Sequence, residues 1–182
     1  MTRRYLANEG GFTLMETMMA LGVLAAGLLG TAQVMAFSLG MSSDTGDDML
    51  ARQKASEAIE SVFTARDTRT VTWVRIRNIA GESGTDGGVF KDGPQPLMVG
   101  GADGLVNTAD DVLMESVMQP GPDGQLGTGD DVARVLTSFH REIKITAVAG
   151  NPNLRKIKVT ITYRSEQRTR EFVIDTLISS FA

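Results

Sequence analysis

Six aspartates in the middle of the chain recur in a pattern that suits cation chemistry. The stretch GADGLVNTADDV at residues 101–112 returns twenty residues later as GPDGQLGTGDDV at residues 121–132, with Gly, Asp-Gly, Thr and Asp-Asp-Val in matching places. Each copy sets one acid in a tight Asp-Gly turn, Asp103 or Asp123. Two more follow seven and eight residues on, Asp110 and Asp111 or Asp130 and Asp131. A loop that folds back brings these carboxylates together with backbone carbonyls that Gly leaves open, the all-oxygen surroundings Ca²⁺ prefers. Without a cation the charges repel one another; with one, an irregular loop gains a crosslink in a chain that has no cysteine. The spacing is not that of an EF-hand. The plainer expectation is a pair of solvated turns around short strands such as residues 112–118.

Other chemistry is sparsely furnished. His140 is the only histidine, in SFHREI beside an expected strand, and no cysteine stands ready as nucleophile or ligand. The acids lie on turn-like repeats with no supporting constellation for hydrolysis, so an enzyme is not expected. Residues 81–88, GESGTDGG, form a flexible loop rather than a phosphate cradle, because no Lys follows at the required spacing. Trp73 with Arg75 and Arg77 has the residue types that stack nucleic acid, but such a trio is more often a strand edge. The net charge of −4, which becomes −5 without residues 1–11 and their two Arg and one Glu, argues against a broadly basic surface. Nucleic acid is not expected as a partner.

One further acid is out of place. Glu16 stands at the start of an uncharged run, residues 17–40, whose 24 positions as a helix span roughly 36 Å, enough for a ~30 Å hydrocarbon core. Arg3 and Arg4 upstream hold that end on the cytoplasmic side and send the body outward. A secretory signal peptide is one reading, with cleavage after Val34-Met35-Ala36 and a mature start at Phe37. A twin-arginine signal fits poorly, since Ala7 stands where a bulky apolar residue belongs. A plain anchor is another reading. Neither accounts for a carboxylate that costs about 2.5–3.5 kcal/mol at the centre of a membrane helix and less at its edge.

The residues around Glu16 account for it. Gly10-Gly11-Phe12-Thr13-Leu14-Met15-Glu16, after a short basic leader and before the apolar run, resembles the processing motif of the type IV pilin-like family. The resemblance implies that a prepilin peptidase cuts between Gly11 and Phe12 and that the new Phe12 amine is methylated. It implies that Glu16 compensates the positive N-terminus of a neighbouring subunit, a pairing that strengthens as both groups leave water. Gly22, Ala26 and Gly30, spaced by four, stack on one helix face and suit close helix packing in lipid.

GVLAAGLLGTAQVM and the C-terminal KIKVTITYRSEQRTREFVIDTLIS look like PilV-type minor pilins, and more loosely like minor pseudopilins of type II secretion. The Gly- and Asp-rich repeats resemble the calcium loops of major pseudopilins. The absence of cysteine departs from the many pilins whose C-terminal loop is closed by a disulfide. The implied function is a structural subunit of a type IV pilus, with a minor pseudopilin as the alternative. Its partners would be other pilin subunits, the peptidase and an inner-membrane assembly platform. The implied location is the bacterial inner membrane as precursor, then the periplasm or a cell-surface pilus. From another class, a secreted calcium-dependent adhesin would lose the Glu16 helix to signal peptidase.

The elements that must position these residues follow from periodicity. Ser42, Ser43, Asp44 and Gly46 predict a kink or helix restart at residues 42–48. Beyond it Leu50, Ala51, Ala55, Ala58, Ile59, Val62 and Phe63 recur at three and four, an amphipathic helix with a face to bury. Ile143 and Ile145, then Ile157, Val159, Ile161 and Tyr163, then Phe172 and Ile174 alternate as three strands joined at residues 149–153 and 165–167. Residues 70–78 read as a further strand or a continuation of the helix. The expectation is an α+β, pilin-like fold: leader 1–11, transmembrane and filament-core helix 12–40, amphipathic helix 41–66, variable region 67–138 and antiparallel sheet 139–182.

Overall fold

The computed structural model describes residues 11–165 and 168–181, with the side chains of residues 40–45 outside that description. The remainder of the expected leader, residues 1–10, also lies outside it. The chain is α+β: one long N-terminal helix and a C-terminal antiparallel sheet. It divides into two compact units, residues 1–43 and 44–182.

Helix α1, Leu14–Asp67, starts where Thr13 ends the extended chain. The Thr13 Oγ1 accepts the Glu16 backbone N–H at 3.2 Å, so Thr13 caps the helix and Glu16 occupies the third helical position. Thr-x-x-Glu is the sequence of a capping box, and an acid in the first turn also suits the helix dipole. In the first unit, Leu14–Leu39 has a mean hydropathy of 1.8 and none of it is buried. That length and composition suffice to cross a membrane, as an anchor or as a signal sequence. The restart expected at residues 42–48 is absent, because α1 is one element of 54 residues. Capping residue types are weak against helix propagation, and Gly46 costs only about 1 kcal/mol relative to Ala.

In the second unit the later turns of α1 pack on the sheet, as their spacing predicts. Ala51, Ala55, Ala58, Val62 and Ala65 are buried, with Leu50, Ile59 and Phe63 packed beside them. The sheet has the order β1-β4-β5-β6, from Gln95–Pro96, Phe139–Val148, Asn151–Ser165 and Arg168–Ser179, all neighbours antiparallel. A separate two-stranded sheet pairs β2, Ser116–Gln119, with β3, Val132–Val135. Register places Ile143, Val159 and Ile174 abreast, and Arg141, Ile161 and Phe172 abreast. Direct partners in an antiparallel sheet share a face, so the apolar alternation of β4 and β5 becomes one buried layer. Phe139 stacks on Tyr163 within it, ring centroids 5.2 Å apart.

Polar pairs fasten the helix to the strands. Asp47 meets Arg134 at 2.9 Å, Asp48 accepts from the Tyr163 hydroxyl and pairs with Arg170, and Lys54 meets Glu115 at 2.9 Å. The hydrogen bond from Tyr163, and behind it Arg170, holds the Asp48 carboxyl below the usual range; burial and Asp48 push the Tyr163 hydroxyl up to about 12.

Two connections differ from expectation. The β4–β5 turn is only Ala149 and Gly150, with φ +78 at Gly150, so residues 151–153 already belong to β5. A two-residue hairpin needs such a left-handed position, and Gly supplies it without strain. Residues 70–78 are neither strand nor helix continuation but hold a 3₁₀ turn, Trp73–Arg75. There Arg155 Nη1 donates to the carbonyl oxygens of Trp73 and Ile76, the latter at 2.6 Å, which turns the backbone toward a single cation. Ser165 pairs with Arg168 across the β5–β6 connection, whose residues 166–167 lie outside the described set.

Candidate functional site

The repeated acids lie on two loops of the same construction. Residues 97–99 run antiparallel to residues 113–115, with Val99 N–H to Leu113 O at 2.8 Å and Glu115 N–H to Leu97 O at 2.9 Å, so the first repeat closes a hairpin. The second repeat joins β2 to β3, closing the next hairpin. Their backbones match position by position. Gly104 and Gly124 both have φ +70, and Asn107 and Gly127 both take positive φ, at +63 and +88. Asp103 Oδ1 accepts the Leu105 N–H and Asp123 Oδ1 the Gln125 N–H, each at 2.8 Å. Asp110 and Asp130 each accept from the backbone N–H of the turn acid at 3.3 Å and from a Thr hydroxyl, Thr108 at 2.7 Å and Thr128 at 2.6 Å. Those hydroxyls, then the backbone donors, hold both carboxyls below the usual range. Gly101 and Gly121 are required, because a Cβ at either would overlap Asp110 or Asp130.

The copies differ in one acid and in what surrounds them. Asp111 Oδ1 accepts from Gly101 N–H at 3.1 Å and Thr108 Oγ1 at 3.2 Å, and its Oδ2 from Thr108 N–H at 3.0 Å. Its counterpart Asp131 accepts on Oδ2 from Gly127 and Thr128, while its Oδ1 is buried with no hydrogen-bond partner among the described residues. The first loop is seated on the body of the protein: Leu105 and Asn107 are 2% exposed. Asn107 donates to the Arg141 carbonyl at 2.8 Å and accepts from Arg141 Nε at 2.9 Å. The second loop stands in solvent, with Leu126 64% exposed where the first has the packed Val106. Among the described residues, no group of three or more His, Cys, Asp or Glu is placed to hold a metal ion.

A buried ionic network under the first loop escaped sequence reasoning. Arg141, fully buried, donates to Glu115 at 3.1 Å and to the Met98 carbonyl at 3.0 Å, and Glu115 in turn meets Lys54. Strand parity was the available signal: Arg141 shares the inward parity of Ile143 and Ile145.

The N-terminal residues are all reachable. Gly11 and Phe12 precede the helix in non-helical chain, Phe12 is 80% exposed, and Glu16, Gly22, Ala26 and Gly30 are exposed along α1. Among the described residues, a Cβ at Gly22 or Gly30 would meet nothing within 4 Å, so none of them requires those glycines. Elsewhere, His140 is exposed on β4. Residues 81–88 are drawn together by Asp86, which accepts from Glu82 N–H at 3.0 Å and from Ser83. Arg155 covers the Trp73 ring at 4.2 Å, leaving that face no room for a base.

These features define an α+β protein with one candidate membrane helix and a pair of matched acidic hairpin loops. Comparison with protein-family models, with curated proteins and with solved structures returns no match.

Proposed function

We propose that this chain is a structural subunit, a minor pilin, of a type IV pilus. The observation that carries the reading is Gly11-Phe12-Thr13-Leu14-Met15-Glu16 standing in accessible chain at the head of an apolar helix with an entirely exposed surface. Such a helix needs a bilayer or the helices of other subunits around it. Prepilin peptidase removes residues 1–11 on the cytoplasmic side of the inner membrane, and the apolar helix then packs among its neighbours in the filament. Glu16 serves twice. It belongs to the first turn of α1, and its carboxylate faces the Phe12 amine of the next subunit. The small face of Gly22, Ala26 and Gly30 lets helices approach, and the sheet is displayed outside. A minor pseudopilin would share every one of these features.

The N-terminal sequence and mass of the mature protein, from cells with and without prepilin peptidase, test the reading. A peptidase-dependent start at a methylated Phe12 is the expected result; a start at Phe37 refutes it and favours a secreted protein.

Calcium is proposed as a ligand of the hairpin loops. The second loop suits it better, because Asp131 Oδ1 is a buried acceptor without a donor among the described residues, while Asp123 and Asp130 are held as their counterparts in the first loop are. In the first, Asp103, Asp110 and Asp111 are already engaged by the loop's own donors. The cation would supply charge neutralisation and a crosslink. Calorimetric titration of the detergent-solubilised chain should show heat that Asp131→Asn removes and Asp110→Ala largely spares.

A further inference from the structure

The two matched loops pose a question of their own, since one is seated and the other is not. The first buries Leu105 and packs Val106 against the core; the second presents Leu126 to solvent on the same backbone. Residues 120–131 also carry three acids and no base, so the tip is apolar with negative flanks, and one bound divalent cation would still leave it negative.

A surface of the opposite character lies where α1 ends. A groove of about 460 Å³ is lined by Arg66, Arg69, Val71, Trp73 and Phe181. Trp73 is fixed by Nε1 donating to the Pro152 carbonyl at 3.2 Å, and Phe181 is exposed. Arg66 is committed to Asp67 at 2.6 Å and to the Ser179 carbonyl, whereas Arg69 has no ion-pair partner among the described residues. Arg69 also has φ +57, the left-handed position past a helix end where Gly is the usual residue. An arginine held there against its backbone preference points to a use for its side chain.

We propose that the 120–131 loop of one copy of this chain docks in the Arg69 groove of a second copy, with Leu126 against Trp73 and Phe181 and the flanking aspartates on Arg69. The partner is another copy because β3, which follows the loop, is tied to Asp47, while the groove is built on Arg66 and the residues after it. Those two positions lie roughly 28 Å apart along the helix. Loop and groove are different surfaces, so the contact is heterologous and does not pair two copies by a two-fold axis. A single loop in a groove falls well below the ~1,200 Å² of a stable interface, so the contact reinforces an assembly held elsewhere. For its setting the proposal rests on the filament reading, but the contact is independent of where the N-terminus is cut.

The absence of cysteine makes the test direct. Full-length chain carrying Leu126→Cys is mixed in detergent with full-length chain carrying Phe181→Cys and oxidised mildly. The crosslinked pair should exceed, by about tenfold, that formed when the second chain carries Lys158→Cys on the outer face of β5. Arg69→Gly in the Phe181→Cys chain relieves the backbone while removing the cation, so it should keep the fold, checked by circular dichroism, and cut the yield severalfold. A yield equal to the Lys158→Cys control, or one unchanged by Arg69→Gly in a folded chain, overturns the proposal. Neither result depends on prepilin peptidase, so failure of the contact and failure of the pilus reading are scored separately.

Discussion

Glu115→Leu should be among the most damaging single substitutions in the second unit. The Glu115 side chain is 8% exposed and accepts from Arg141, which is fully buried, while its other oxygen meets Lys54 at 2.9 Å. Removing the carboxylate strands the guanidinium in a site whose burial already pushes its pKa down, with Glu115 the first charge opposing that push. Breaking a buried pair from one side costs about 3–5 kcal/mol, a large share of the 5–15 kcal/mol typical of a domain. Taking out both charges with Arg141→Leu as well should recover much of the loss. What remains, about 1–3 kcal/mol, is the cost of the Asn107 and Met98 acceptors left without their donor. Urea unfolding of the full chain in detergent, followed by the fluorescence of its single tryptophan, measures each step. A loss below about 1 kcal/mol for Glu115→Leu, or a double variant less stable than the single one, would show that the network does not work as an ion pair.

The same urea assay checks three further expectations. Ala58→Leu forces a larger side chain into a fully buried position on the sheet and should cost about 1–3 kcal/mol. Asp111→Ala leaves the buried Thr108 N–H without its acceptor and should cost about 1–3 kcal/mol, whereas Asp131→Ala in the solvent-exposed copy should cost less than half as much; equal losses would mean that seating adds nothing. Tyr163 is raised to about 12 in the folded protein, so its contribution is complete below pH 10, where the unfolded tyrosine is still protonated, and disappears between pH 10 and 12. The stability difference between wild type and Tyr163→Phe should therefore shrink across that window, and a constant difference refutes the linkage.

Much of the architecture was legible where one periodicity ruled. Ala51, Ala55 and Ala58 at helical spacing, and Ile157, Val159 and Ile161 at strand spacing, each have a single way to bury. The Asp repeats were legible as repeats and as turns beside short strands, but not the bounds or pairing of those strands, because they are four residues or fewer and mostly exposed. Nor could sequence tell which copy is seated, since that depends on Asn107 finding Arg141 on a strand thirty-four residues away. Residues 70–78 misled for a similar reason: their backbone is shaped by Arg155, a cation from β5. The helix restart expected at residues 42–48 is absent because capping residues report where a helix can stop, and a helix with good helix formers on both sides does not have to.

The part of α1 that packs in the second unit is also made long before its partners. Asp48 and Tyr163, which join α1 to β5, are 115 residues apart in the chain, and Asp48 and Arg170 are 122 apart. At about 5–20 residues per second of synthesis, roughly 6–23 s separate the two ends of that contact. Throughout that interval Ala51, Ala55, Ala58 and Val62 have no sheet to cover them, and the strands that eventually do so are the last to emerge. Folding of the second unit is thus a late event in the life of the nascent chain.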